Sequence, residues 1–157
     1  MHAPGKEDMK RKIKIAIITV TMFCLMAQPY LALGNTVANE DKIEEIKSLY
    51  SEDVTGERAE FLEEAYSCVD KLLYRLGADN ENYSDCSSFV GRCYDKATGE
   101  TCERNTRGFT DSVNATEITF EKILPGDVAL VKKPGASSNH IVIYAGRDKN
   151  NVDYFYY

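Results

Sequence analysis

A chain of 157 residues with 19 Lys and Arg against 25 Asp and Glu, two His, five Cys and no Trp has the size of one globular domain. Its net charge of -6 excludes the clustered cations that a nucleic-acid or anionic-membrane surface needs to displace counterions. Five Cys are too few for a disulfide scaffold, and 43% hydrophobic residues exclude a disordered tail.

Lys10, Arg11, Lys12 and Lys14 form a basic start to the apolar run Ile15 to Ala27, followed by Pro29 and small residues around Ala32-Leu33-Gly34. These are the three parts of a secretory signal peptide, so residues 1–34 are expected to be removed and the product secreted or held at the cell envelope. The run is shorter than the roughly 18 to 20 residues a membrane span needs, although extension through Leu33 leaves an uncleaved anchor open. Cys24 follows Phe23 rather than a small residue, which speaks against a lipid-modified cysteine. Removing the leader leaves 14 basic against 23 acidic residues and a single histidine, His140.

Residues 35–56 are polar with a short helical pattern at Ile43, Ile46 and Leu49, and are expected to form a linker or peripheral helix. The main domain is expected over 57–157. Ala59, Leu62, Ala65, Tyr66, Val69, Leu72, Leu73 and Leu76 recur at three- and four-residue spacing, with Glu57 in the first turn and Gly77 as a stop, so the pattern predicts one helix through Leu76. Ser84 and Asp85 suit the N-cap of a second helix, whose stripe of Phe89, Val90, Cys93, Tyr94 and Ala97 ends at Gly99. Residues 101–114 read as polar and irregular. After Pro125-Gly126 the period changes to two, predicting antiparallel strands over 127–132, 140–145 and 152–157, joined by the turn-rich segments 133–139 and 147–151.

Cys86 therefore opens a helix, and the only exported histidine lies on a later strand. A thiol is a poor nucleophile until it ionises, from a free pKa of about 8.5, and a helix N-terminus or a neighbouring imidazole lowers that value. The order of the two residues is that of papain-like cysteine peptidases. A plainer reading treats Cys86 as a small buried apolar residue and His140 as an exposed strand residue.

Three motifs go further. Asp85-Cys86-Ser87-Ser88-Phe89-Val90, then Leu124-Pro125-Gly126-Asp127-Val128, then His140-Ile141-Val142-Ile143-Tyr144-Ala145-Gly146 follow one another in the chain. In that order they resemble the NlpC family of bacterial cell-wall cysteine peptidases. Tyr74-Arg75-Leu76-Gly77 matches the family's Tyr-x-x-Gly-Gly lead-in up to its second Gly, which is Ala78. Ser88 stands for the usual Gly after Asp-Cys-Ser, and Val142 for a small residue after the His.

The resemblance covers about residues 58–157. It implies an α+β, papain-like fold, with N-terminal helices packed on an antiparallel sheet, and a peptidoglycan hydrolase that cuts stem peptides between γ-D-glutamate and the following diamino acid. By it, Cys86 is the nucleophile, His140 the general base and acid, and Tyr74, Asp85 and Ser87 substrate-binding residues. Backbone N–H groups at the start of the Cys86 helix, Cys86's own among them, would hold the oxyanion. The implied partner is the stem peptide. No cofactor or metal is expected, since a single His without a Cys-x-x-Cys pair makes a poor zinc site.

In the family, the residue that orients the imidazole lies on the strand after the His strand. Pairing about a turn near Lys149 puts it within roughly 155–159, where Phe155, Tyr156 and Tyr157 stand. Asn150, Asn151 and Asp153 lie closer to the turn and read as solvated. Family domains continue for another strand or two, so the last strands are expected to be missing here. Cys93 and Cys102 are close enough in sequence to pair if their Cα atoms approach within about 7 Å, while burial is the simpler expectation for Cys68 and Cys93. Two further readings stay open: a CHAP-type amidase on the same scaffold, and an inactive truncated chain that binds wall peptide.

Overall fold

The structure, a computed structural model, describes residues 14–19, 40–50, 54–69, 71–113, 115–132 and 140–157. Cys24, most of the expected leader, Asn114 and the 133–139 turn lie outside these residues. The elements run β1 (Lys14–Thr19), α1 (Glu40–Ser48), α2 (Glu57–Ser67), β2 (Leu73–Tyr74), β3 (Tyr83–Ser84), α3 (Cys86–Thr98), α4 (Thr106–Ser112), β4 (Thr116–Ile118), β5 (Val128–Lys132), β6 (His140–Arg147) and β7 (Asp153–Tyr156). A single 3-10 turn, Phe120–Lys122, precedes β5.

The main sheet has five strands in the order β4-β1-β5-β6-β7. β5, β6 and β7 are antiparallel, as the sequence predicts. β1 departs from that expectation, because it runs parallel to β5 on one side and to β4 on the other. The sheet is therefore mixed, and six residues of the expected leader stand within it. Its sequence, KIAIIT, is rich in isoleucine, a β-branched residue that suits a pleated surface.

β6 is buried continuously from Ile141 to Gly146 rather than on alternate residues. Ile141, Ile143 and Ala145 join the main core with α2 and α3, while Val142 and Tyr144 face a second cluster with Ile123 and Ala129. A strand covered on both faces reads as an unbroken apolar run.

The long helix predicted through Leu76 stops at Ser67. The Cys68 N–H donates to the Ala65 carbonyl at 3.3 Å and the Val69 N–H to the Tyr66 carbonyl at 3.0 Å, closing α2 in a tighter turn. Leu73 and Leu76 keep the helical spacing but are 59% and 81% exposed, so no core receives them there. The chain instead pairs Leu73 and Tyr74 with Tyr83 and Ser84 in a small parallel ribbon. A further difference is α4, within the segment read as irregular. Asn105 caps it by accepting from the Gly108 N–H at 2.8 Å, and Phe109 is fully buried. α1 is less peripheral than its polarity implies, since Ile46 enters the main core and Leu49 stays exposed.

The Pro-Gly-Asp turn before β5 is held from within. Asp127 is wholly buried and accepts from Arg58 Nη2 at 2.7 Å, and its second oxygen accepts from the Leu124 N–H at 2.8 Å. Arg58 also donates to the Pro125 carbonyl at 2.7 Å. Gly126 has φ 84, and a Cβ there would meet Arg58 Cγ at 2.7 Å, so both conformation and space require glycine. Removing one partner of such a buried pair costs about 3 to 5 kcal/mol, because the other charge stays buried without compensation.

Candidate active site

α3 begins at Cys86 because Asp85 caps it. One Asp85 oxygen accepts from the Ser88 N–H at 2.8 Å and from the Ser87 hydroxyl at 2.9 Å. The other accepts from the Gly77 N–H at 3.1 Å. Gly77 has φ 74, a left-handed conformation that favours glycine, so the lead-in glycine turns the chain and aims its N–H at the cap. The Asp85 N–H completes the knot by donating to the Ala78 carbonyl at 2.9 Å. Burial raises the Asp85 carboxyl, but the donors from Ser88, Ser87 and Gly77 outweigh it and hold the group below the usual carboxylate range.

Asp85 and Ser87, expected to bind substrate, are thus both engaged in positioning the helix. Ser87 is buried, and its hydroxyl proton is shared between Asp85 and the Arg104 carbonyl at 3.0 Å. Tyr74, on β2, is 57% exposed and close enough to Cys86 and Asp85 that, after partial burial, their charges push its phenol up. It is the open member of the three.

Cys86 is buried at the first turn of α3, with its sulfur against the backbone N–H of Ile141. Ile141 directly follows His140 on β6, so the packing of α3 on β6 brings the cysteine to the start of the histidine strand. Burial pushes the Cys86 thiol up. The N–H groups of Ile141, Ser87 and Cys86 pull it down and Asp85 adds to the rise, with the net shift upward. The expected helix N-terminal effect is therefore present as the Ser87 and Cys86 N–H contacts, joined by the Ile141 N–H of β6, but desolvation exceeds their sum.

The His140 ring meets the Tyr157 ring edge to face, with centroids 5.4 Å apart. Ile143 pairs with Tyr156 and Tyr144 with Phe155, so Tyr157 continues β7 toward the start of β6. A tyrosine thus occupies the place where an orienting residue is expected. Asp153 is not near it: it accepts from the Tyr144 hydroxyl at 2.7 Å and from Arg147 Nε at 2.9 Å. Asn151, at φ 62, belongs to the β6–β7 turn.

The NlpC/P60 family model matches residues 71–151, just over half of the chain. The chain belongs to the NlpC/P60 family. The match contains Tyr74, Asp85, Cys86, Ser87 and His140, and it begins in the segment that links α2 to the lead-in ribbon. Membership places the chain among the cell-wall peptidases, a family that is generally of cysteine peptidases acting on peptidoglycan peptides. No curated protein and no solved structure matches it. No described helix is long and apolar enough to cross a membrane.

Sequence reasoning missed two features of this NlpC/P60 site. The contact of the Ile141 N–H with the cysteine depends on how α3 lies across β6, and no local pattern encodes that angle. The Gly77–Asp85 hydrogen bond did have a signal, a glycine ending the lead-in and an N-cap aspartate eight residues later.

Proposed function

We propose that this NlpC/P60 chain is a secreted peptidoglycan hydrolase that cleaves stem-peptide amide bonds of the γ-D-glutamyl-diamino acid type with Cys86 and His140. The supporting observation is the packing of the Cys86 thiol, at the first turn of α3, against the residue that follows His140 on β6. His140 takes the thiol proton as Cys86 attacks the scissile carbonyl, and returns it to the leaving amine. Water then hydrolyses the thioester. The backbone N–H groups of Cys86 and Ser87, set in place by the Asp85 cap, are the donors for the oxyanion. Tyr74 flanks the substrate, whereas Asp85 and Ser87 act through the helix they hold. The ring of Tyr157 limits rotation of the imidazole.

The test is release of muropeptides from purified peptidoglycan, read by mass spectrometry. Wild type is expected to release fragments that identify the bond, and Cys86→Ala and His140→Ala each to reduce release by at least about 10³-fold. Release that survives Cys86→Ala overturns this reading. The raised Cys86 thiol favours a second reading, a chain that binds wall peptide without cutting it. A silent but folded wild type that retains stem peptide in equilibrium dialysis supports that reading instead. Fragments cut at the sugar–peptide amide identify a CHAP-like amidase.

A further inference from the structure

Cys68 and Cys93 meet at a seam that the proposed chemistry does not use. Cys68 is the half-buried C-cap of α2, and Cys93 is buried about two turns into α3, on the helix that Cys86 opens. The two thiols face the same cleft, and each is the largest influence on the other's ionisation. Both line a cleft of about 590 Å³ that also takes in Ser67, Lys71 and Lys96. Lys96, paired with Glu64 at 2.8 Å, lies beside Cys68, and the Ser67 hydroxyl is 3.9 Å from its sulfur. Cys102, the partner that spacing offers to Cys93, is engaged elsewhere. Its sulfur lies 3.4 Å from Asp95 Oδ1 and 3.6 Å from the Gly91 carbonyl.

We infer that Cys68 and Cys93 are a disulfide-forming pair, a modification site that fastens the end of α2 to the middle of α3 through the open cleft between them. The contact with Cys93, and with it Ser67 and Lys96, draws the Cys68 thiol down to about 6 against the effect of burial. The Cys93 thiol moves the opposite way, so Cys68 is the attacking sulfur and Cys93 keeps its proton until the second step. With oxidised glutathione as oxidant, the Cys68 thiolate attacks one glutathione sulfur, forming a mixed disulfide and releasing one glutathione thiolate. That thiolate takes the Cys93 proton. Cys93 then attacks the Cys68 sulfur and expels the second glutathione. Two protein thiols are oxidised to one disulfide, and one glutathione disulfide is reduced to two thiols.

The experiment uses the full chain treated with oxidised glutathione, alkylated with iodoacetamide and digested with trypsin without reduction. Arg58, Lys71, Arg75, Arg92, Lys96 and Arg104 put Cys68, Cys86, Cys93 and Cys102 on separate peptides, so each linkage is read directly. The expected product joins the Cys68 and Cys93 peptides, lacks two hydrogens relative to their sum, and separates under dithiothreitol. Cys93→Ala is expected to stop at the first step and carry glutathione on Cys68. Linkage of Cys68 to Cys86 or Cys102, or wild type that retains glutathione on Cys68, overturns the assignment. So does full alkylation of both residues after oxidation. Because the readout is connectivity, it stands whether or not the chain proves to cleave peptidoglycan.

Discussion

The first turn of α3 and the α2–α3 seam each hold a sulfur beside hydrogen-bond donors, yet the two thiols move in opposite directions. At the first turn, burial prevails over three backbone N–H groups, and Asp85 adds a negative charge, so the Cys86 thiol rises. At the seam, a neighbouring thiol, a hydroxyl and a lysine prevail over burial, and the Cys68 thiol falls to about 6. The motif therefore marks where the cysteine sits, while the neighbours decide how readily it ionises. For Cys86 the missing lowering influence is a positive charge, which the proposed mechanism assigns to His140.

The comparison breaks most plainly in activity. Under reducing conditions Cys68→Ala is expected to leave muropeptide release within about 3-fold of wild type, against the loss of at least about 10³-fold for Cys86→Ala. Equal losses would mean that the seam takes part in the chemistry. The pH dependence of alkylation by iodoacetamide sharpens the same contrast. Cys68 labelling is expected to be half-maximal near pH 6, whereas Cys86 labelling should still be rising above its ordinary value of about 8.5. At pH 7 the rate advantage of Cys68 should be only several-fold, because a thiolate of lower pKa is also a weaker nucleophile. An acidic Cys86 midpoint that disappears in His140→Ala would place an imidazolium beside the thiolate.

Smaller effects separate the charges. Asp85→Ala removes the helix cap and is expected to cost about 1 kcal/mol in urea unfolding, while lowering the Cys86 midpoint by removing a nearby negative charge. The folded Asp85 carboxyl lies below its unfolded value of about 3.9. Its contribution is therefore complete above that value and is lost as pH falls through the depressed folded value, so wild type and Asp85→Ala should converge in stability at low pH. Lys96→Gln should raise the Cys68 midpoint slightly and leave Cys86 unchanged, which checks that the two sulfurs titrate independently.

What could be read in the sequence was local. Asp85 as N-cap, Gly99 as stop and the alternation into β5 and β7 are decided by a few adjacent residues, and the structure agrees. The helix extended to Leu76 failed because periodicity reports spacing and not whether a core lies opposite. Leu73 and Leu76 have the spacing without the core. α4 was missed because seven residues carry little periodic signal, although Asn105 as cap and Phe109 with Val113 one turn apart were visible. The seam between Cys68 and Cys93 joins residues 25 positions apart through the packing of two helices, and no motif announces it.

β1 carries a consequence for the order of events in the cell. It alone joins β4 to the rest of the described sheet, and its residues belong to the basic, apolar segment expected to direct export. A strand hydrogen-bonded on both edges is not free to thread through a translocation channel. On the proposed reading of a secreted chain, passage and folding compete for the same six residues, and export precedes the docking of β1. Cleavage, on that reading, leaves β5 only its β6 neighbour and takes from β4 its partner in the described sheet. The proposed precursor and processed forms would then differ in their sheet edges, though they share every residue of the candidate site.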